Sequence, residues 1–305
     1  MKHTLKVTVA LLVFFFMAQF IGLLIINQYI DHKRTVEEKE IVYKPLPYDI
    51  ERPEIENQSI SFIYITIAII IGTILVLLLI KFNKPLIWKF WFFITVWLTL
   101  AIAFAAFINS IIAGVVALIF TILKIYKPNV IVQNFSEIFI YGGLAAIFVP
   151  IINLFAAFML LFIISIYDYI SVYKTKHMIK LAKFQSQSKI FAGLLIPYER
   201  GKGKITMAAQ PIKASKAAKS RQSVAVLGGG DIGFTLIFAG VVMKGLMLQE
   251  TVLIGFLKTL LIPILVTLAL LFLLAKGRQN KFYPAMPILS LGCFAGYLLV
   301  WLISF

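Results

Sequence analysis

The sequence predicts an all-α polytopic membrane protein of nine transmembrane helices, and three observations predict it. Of 305 residues, 61% are hydrophobic and 14% charged, against roughly 25% charged residues in a soluble domain. The apolar residues gather into nine runs near the ~20-residue length that a spanning helix needs. The positive charge, net +16, collects in every second connection between runs, as alternating crossings require.

The runs lie near residues 5–30, 59–80, 86–108, 110–126, 130–149, 151–173, 223–243, 251–275 and 284–304. The first is long and lacks a small-x-small cleavage site, so it reads as a retained helix rather than a signal peptide. Lys2 and Lys6 precede it, whereas residues 31–58 hold eight of the thirteen acidic residues and read as an external polar loop broken by Pro45, Pro47 and Pro53. Lys81, Lys84 and Lys89 surround the next turn, Lys124 and Lys127 follow two spans later, and Lys276, Arg278 and Lys281 mark the connection before the last span. Residues 174–222 carry twelve Lys or Arg against one acid, Glu199. The alternation puts the N-terminus in the cytoplasm and the C-terminus outside.

Three parts follow: helices one to six in residues 1–173, a cytoplasmic loop over 174–222, and helices seven to nine in 223–305. Within the loop, Val172 to Phe184 can continue the sixth helix, and Ile190 to Ile196 with Pro197 after it reads as a strand or an interfacial segment. Residues 201–221, rich in Lys, Gly, Ser and Ala, have a flexible composition.

Several function classes fall away on composition. Basic residues beside apolar spans answer to lipid head groups, so no nucleic-acid partner is expected. The histidines, His3, His32 and His177, lie outside the spans, which removes intramembrane His-Glu-x-x-His metal sites and serine–histidine pairs. No metal or cofactor is expected. The single Cys293, beside Gly292, reads as a small packing residue. The Asn57-Gln58-Ser59 sequon abuts the second span and makes a poor glycosylation site.

Beyond residue 56 the acids number five: Glu137, Asp168, Glu199, Asp231 and Glu250. Glu199 and Glu250 fall in loops and Glu137 near a helix end, but apolar sequence surrounds Asp168 and Asp231. An ionisable group within a span costs roughly 2.5–3.5 kcal/mol even on the lenient scale, and such groups face polar interiors and serve functions. Asp168 stands six residues before Lys174, roughly 9 Å, and Asp231 ten residues past Arg221, roughly 15 Å if helical throughout. A helix beginning nearer Ser223 brings the depths within a turn. Two carboxyls at similar depth on consecutive antiparallel helices can meet.

Such a pair is an apparatus for amide hydrolysis. Like charges in a low dielectric do not both ionise, so the pair shares a proton. One member acts as general base on a water and the other donates to the scissile carbonyl. Which aspartate starts protonated is not assignable, because the pair titrates as a unit. Gly228, Gly229 and Gly230 precede Asp231, either as a packing or hinge cluster or to admit another backbone closely. A P-loop is excluded because no Lys-Ser/Thr follows. Tyr167 either packs on or hydrogen-bonds the pair or is an interfacial aromatic. Pro284-Ala285-Met286-Pro287 opens the last span, where proline is ordinary.

Taken together, Tyr167-Asp168, Gly228-Gly229-Gly230-Asp231 and Pro284-Ala285-Met286 resemble the presenilin and signal peptide peptidase family of intramembrane aspartyl proteases. That family carries Tyr-Asp in its sixth helix, Gly-x-Gly-Asp in its seventh and Pro-Ala-Leu at its ninth. Met286 stands in place of the family's Leu, which bears on subsite shape. The resemblance implies a presenilin-like fold, catalysis by Asp168 and Asp231, and substrate contacts at Tyr167, Gly228, Gly229, Gly230, Pro284, Ala285 and Met286. It further implies a membrane-spanning polypeptide substrate, unwound into a strand beside the segment before Gly-x-Gly-Asp, in the manner of β-addition. A cytoplasmic loop between the aspartates is similar to presenilin, and the short loops to a microbial, archaeal homologue in a cell membrane. Oligomeric state is not readable.

The rivals are an ion-coupled transporter or channel using paired acids, and a family member that binds membrane segments without cutting them. The transporter predicts an inverted repeat, and Gly228–Asp231 has no pseudo-symmetric counterpart. Prepilin peptidases share Gly-x-Gly-Asp but set their first aspartate among basic residues and lack the Pro-Ala element.

Overall fold

The computed structural model describes residues 4–82, 84–175, 181, 184–185, 190–197, 224–277 and 283–304. Lys2, His3, His177, Glu199, Arg221, Arg278 and Lys281, with most of the 174–222 segment, lie outside them. The helices are α1 (Leu5–Tyr29), a short α2 (His32–Glu38), α3 (Ser61–Lys81), α4 (Pro85–Ala105), α5 (Ser110–Tyr126), α6 (Val130–Phe148) and α7 (Leu154–Tyr169). A hairpin of β1 (Gly193–Pro197) and β2 (Val224–Gly228) leads into α8 (Gly229–Gln249), α9 (Val252–Thr259), α10 (Leu261–Lys276) and α11 (Met286–Ile303).

Among the described residues, eight helical segments are long and apolar enough to cross a membrane, α9 and α10 counting as one. The expected fourth span, α5, has 17 residues, at the short limit for spanning. Starts are set by sequence: Asn109, Asn129 and Asn153 accept the amides of Ile111, Ile131 and Ala156, satisfying donors a helix start leaves open. The eighth span divides at Leu260 because Pro263, three residues on, has no N–H for the carbonyl of Thr259.

The seventh span departs from expectation. A helix from residue 223 is replaced by a strand over Val224–Gly228, and helix begins only at Gly229. Val-Ala-Val-Leu is β-prone, and pairing with Gly193–Pro197 takes up its inward backbone groups. Asp231 therefore sits in the first turn of α8, and the distance reckoned along a helix from Arg221 does not apply.

Burial follows position. α8 touches α1, α6, α7, α9, α10 and α11, and 72% of its apolar window is buried. α3 lies outermost, with 6% of its window buried, packing on α7 and α4. The main core joins α1, α6, α7, α8, α10 and α11, and a smaller one fills the α4–α5 hairpin. The 31–58 connection is mostly exposed, with Thr35 and Leu46 buried and Arg52 anchoring it. Arg52 lies over the rings of Tyr29 and Tyr43 and donates to the carbonyl of Lys44 at 2.9 Å.

Candidate active site

Asp168 occupies the last turn of α7 and Asp231 the first turn of α8. Phe158 fixes the relative depth of the two helices. Its ring packs against Phe238 of α8 and Phe294 of α11, both at 5.0 Å between centroids. From that shared layer, Asp168 is ten residues along α7, Asp231 seven along α8 and Met286 eight along α11, or roughly 15, 10 and 12 Å. All three lie on one side of the layer, since α7 runs away from it while α8 and α11 run towards it. The antiparallel placement expected from sequence is present, and the start of α11 joins it.

Asp168 is 7% exposed. The backbone N–H of Met286 donates to its Oδ2 at 3.1 Å, using one of the open amides at a helix start. One turn away, the hydroxyls of Ser165 and Ser290 lie 2.8 Å apart and pin α7 to α11. The Pro-Ala-Met element thus meets Asp168 through its backbone. The side chains of Ala285 and Met286 are buried.

Asp231 is half-buried, and its carboxyl turns back over the helix start. A β-carbon on Gly228 would lie 3.4 Å from Asp231 Oδ2. A β-carbon on Gly229 would run into the Tyr141 hydroxyl, whereas one on Gly230 would meet Phe234 in ordinary contact at 3.6 Å. Of the three glycines, Gly229 is therefore the one that close approach requires, at a helix start and not in a helix interior. Gln19 of α1 secures this turn, donating to the carbonyl of Ile232 at 2.9 Å and to Thr235 Oγ1 at 2.8 Å. The Tyr167 hydroxyl lies 3.0 Å from Thr73 Oγ1 of α3.

The hairpin adjoins the Asp231 turn, since Gly229 N–H donates to the carbonyl of Ala192 at 3.2 Å. Its register, Leu194 opposite Leu227 and Ile196 opposite Ala225, turns Gly193 and Leu195 away from β2. α6 takes up that outer edge. Asn134 exchanges two hydrogen bonds with Leu195, at 2.8 and 2.9 Å, and Gln133 Nε2 donates to the carbonyl of Gly193 at 2.9 Å.

A polar cluster behind the site escaped the sequence reading. Lys124 and Glu137, read as a loop charge and a helix-end acid, are 3% and 1% exposed. Lys124 Nζ lies 2.5 Å from Glu137 Oε1 and donates to Gln133 Oε1 at 2.9 Å. Tyr141 donates to Glu137 Oε2. The signal was a Lys and a Glu of neighbouring spans, thirteen positions apart, Lys124 between Leu123 and Ile125 and Glu137 between Ser136 and Ile138.

The family description "Signal-peptide peptidase, presenilin aspartyl protease" matches residues 46–305. No curated protein matches the chain. Among solved structures, a presenilin family intramembrane aspartate protease in a C222 crystal form is similar at 20% identity and TM-score 0.56, covering 96% of this chain and 99% of that one. The same description in a P2 crystal form is similar at 18% identity and TM-score 0.57, covering 96% and 97%.

Proposed function

The chain belongs to the signal-peptide peptidase and presenilin family of aspartyl proteases, and from that premise we propose that Asp168 and Asp231 are its catalytic pair. The protein is an intramembrane aspartic endopeptidase, an integral multi-pass protein whose substrates are membrane-spanning helices in the bilayer. The observation that carries the assignment is the hydrogen bond from the Met286 amide at the start of α11 to Asp168 in the last turn of α7, with Asp231 in the first turn of α8 on the same side of the Phe158 layer.

The mechanism follows from carboxyl chemistry. The two groups hold one proton between them and a water in reach of both. The ionised member takes a proton from that water, which attacks the scissile carbonyl, and the protonated member donates to the carbonyl oxygen. Collapse of the tetrahedral intermediate passes a proton to the leaving amine. No metal and no covalent intermediate enters.

A substrate helix must unwind, because its carbonyls are hydrogen-bonded along the helix. We place the unwound strand on β2. The β1 edge is occupied by Gln133 and Asn134, while Val224, Val226 and Gly228 turn their backbone to the opposite edge and Val226 is 37% exposed. A strand added there runs towards Asp231 three residues beyond Gly228. Gly228, Gly229 and Gly230, with Pro284, Ala285 and Met286, then flank its path, and Tyr167 sits beside it on α7.

The charge alternation supports a cytoplasmic N-terminus and an external C-terminus, and the short loops, through the family resemblance, support a microbial cell membrane as the location. It also supports the division into residues 1–173, 174–222 and 223–305. The test is cleavage of a single-span model substrate by the purified protein, blocked by an aspartyl transition-state inhibitor. Asp168→Asn and Asp231→Asn are each expected to cleave nothing. Undiminished cleavage by either folded variant would sink the assignment.

A further inference from the structure

Lys124, Glu137 and Gln133 form a buried charged cluster that the hydrolytic mechanism does not use. Its members reach in two directions. On one side Gln133 Nε2 donates to the carbonyls of Phe191 and Gly193 at 3.0 and 2.9 Å, holding the start of β1. On the other, Glu137 accepts the Tyr141 hydroxyl, which fills the space where Gly229 would carry a β-carbon. Tyr141 also packs on Gly233, one turn further along α8 and two residues past Asp231.

We propose that Glu137, braced by Lys124, is a positioning residue: it holds the Tyr141 hydroxyl against Gly229 and, through Gln133, the start of β1, so that the Asp231 turn and the strand beside it keep one register. The proposal rests on the assignment of Asp231 to the catalytic pair. Two features argue against mere packing. A Lys–Glu pair withdrawn from water at this depth contributes little net stability compared with apolar side chains of the same shape. A tyrosine whose proton is committed to Glu137 has one fixed hydroxyl direction, and that hydroxyl sets how closely α6 and the first turn of α8 approach.

The site tolerates little displacement. A shift of about 1 Å in a reacting group costs up to ~100-fold in rate. The signature of a positioning role is therefore a fall in kcat with KM and folding preserved.

Tyr141→Phe keeps the ring against Gly229 and Gly233 and removes the hydroxyl. The double variant K124M/E137L removes both charges together, which leaves no buried unpaired ion. Each is expected to retain the wild-type melting temperature within a few degrees, keep KM within about twofold and lower kcat at least ~10-fold. The triple variant K124M/E137L/Y141F is expected to be no slower than the slower parent, because the residues act as one device. Wild-type kcat in either folded variant overturns the proposal, as do independent, multiplying losses in the triple. Asp168→Asn and Asp231→Asn, assayed alongside, separate the two assignments: their activity would remove the catalytic pair, whereas their inactivity beside wild-type kcat in Tyr141→Phe removes only the role of Glu137.

Discussion

The backbone N–H of Met286 donates to Oδ2 of Asp168 across 3.1 Å, joining residues 118 positions apart in the chain. A main-chain donor is indifferent to the side chain it belongs to. The third motif therefore acts on Asp168 by placing a helix start, with Pro287 in its first turn where a missing N–H costs nothing.

Met286→Leu, which restores the family's residue, is accordingly expected to cleave a model substrate at a rate within about twofold of wild type. The side chain is 3% exposed, and a swap of near-equal volume costs less than about 1.5 kcal/mol. Steady-state kinetics with a thermal melt checks both. A large loss of kcat would show that the thioether does more than fill space.

The glycines before Asp231 separate by what each would touch. Gly229→Ala is expected to abolish most activity, since its methyl meets the Tyr141 hydroxyl at the start of α8. Gly230→Ala meets only Phe234 at 3.6 Å and is expected to fold at least as stably, alanine being favoured over glycine in a helix by about 0.5–1 kcal/mol. Cleavage rates and melting temperatures of the pair test the distinction, and equal activity in both would refute it.

Much of this was legible in the sequence, and what was not has physical causes. Asp168 and Asp231 stood out because charge is costly in a span, and eight of the nine apolar runs became helices long enough to cross. Val224–Gly228 was misassigned because a five-residue apolar run has no periodicity that separates strand from helix. Its partner 27 to 35 positions earlier decides the matter. Lys124 and Glu137 were placed at loop and helix end because a charge near a span boundary normally reaches water. Here each finds the other. Met286 was visible as a motif residue, but a contact made by a backbone amide leaves no mark on residue type.

The Lys124–Glu137 pair also makes a stability prediction. Lys124→Met alone strands a buried carboxylate and is expected to cost about 3–5 kcal/mol, whereas the matched loss of both charges is expected to be close to neutral. Thermal melts in detergent, or unfolding by added denaturing detergent, would show the asymmetry. Equal stability of single and double variants would mean that water reaches Glu137.

The outer edge of β2 offers a test of strand addition that leaves Asp168 and Asp231 untouched. Val226 turns its amide away from β1, so Val226→Pro removes a donor from the outer edge without breaking a hairpin hydrogen bond, and proline is tolerated on sheet edges. Val226→Ala keeps that donor and trims a side chain that is 37% exposed. If substrate joins β2 through its backbone, Val226→Ala cleaves nearly as wild type while Val226→Pro loses about two- to tenfold in kcat/KM, the effect of one lost hydrogen bond at about 0.5–1.5 kcal/mol. An inhibitor that occupies the pair without extending along β2 should bind both variants alike. Equal cleavage by the two variants would move the substrate off this edge, and loss of inhibitor binding in Val226→Pro would instead trace the effect to a displaced Asp231 turn.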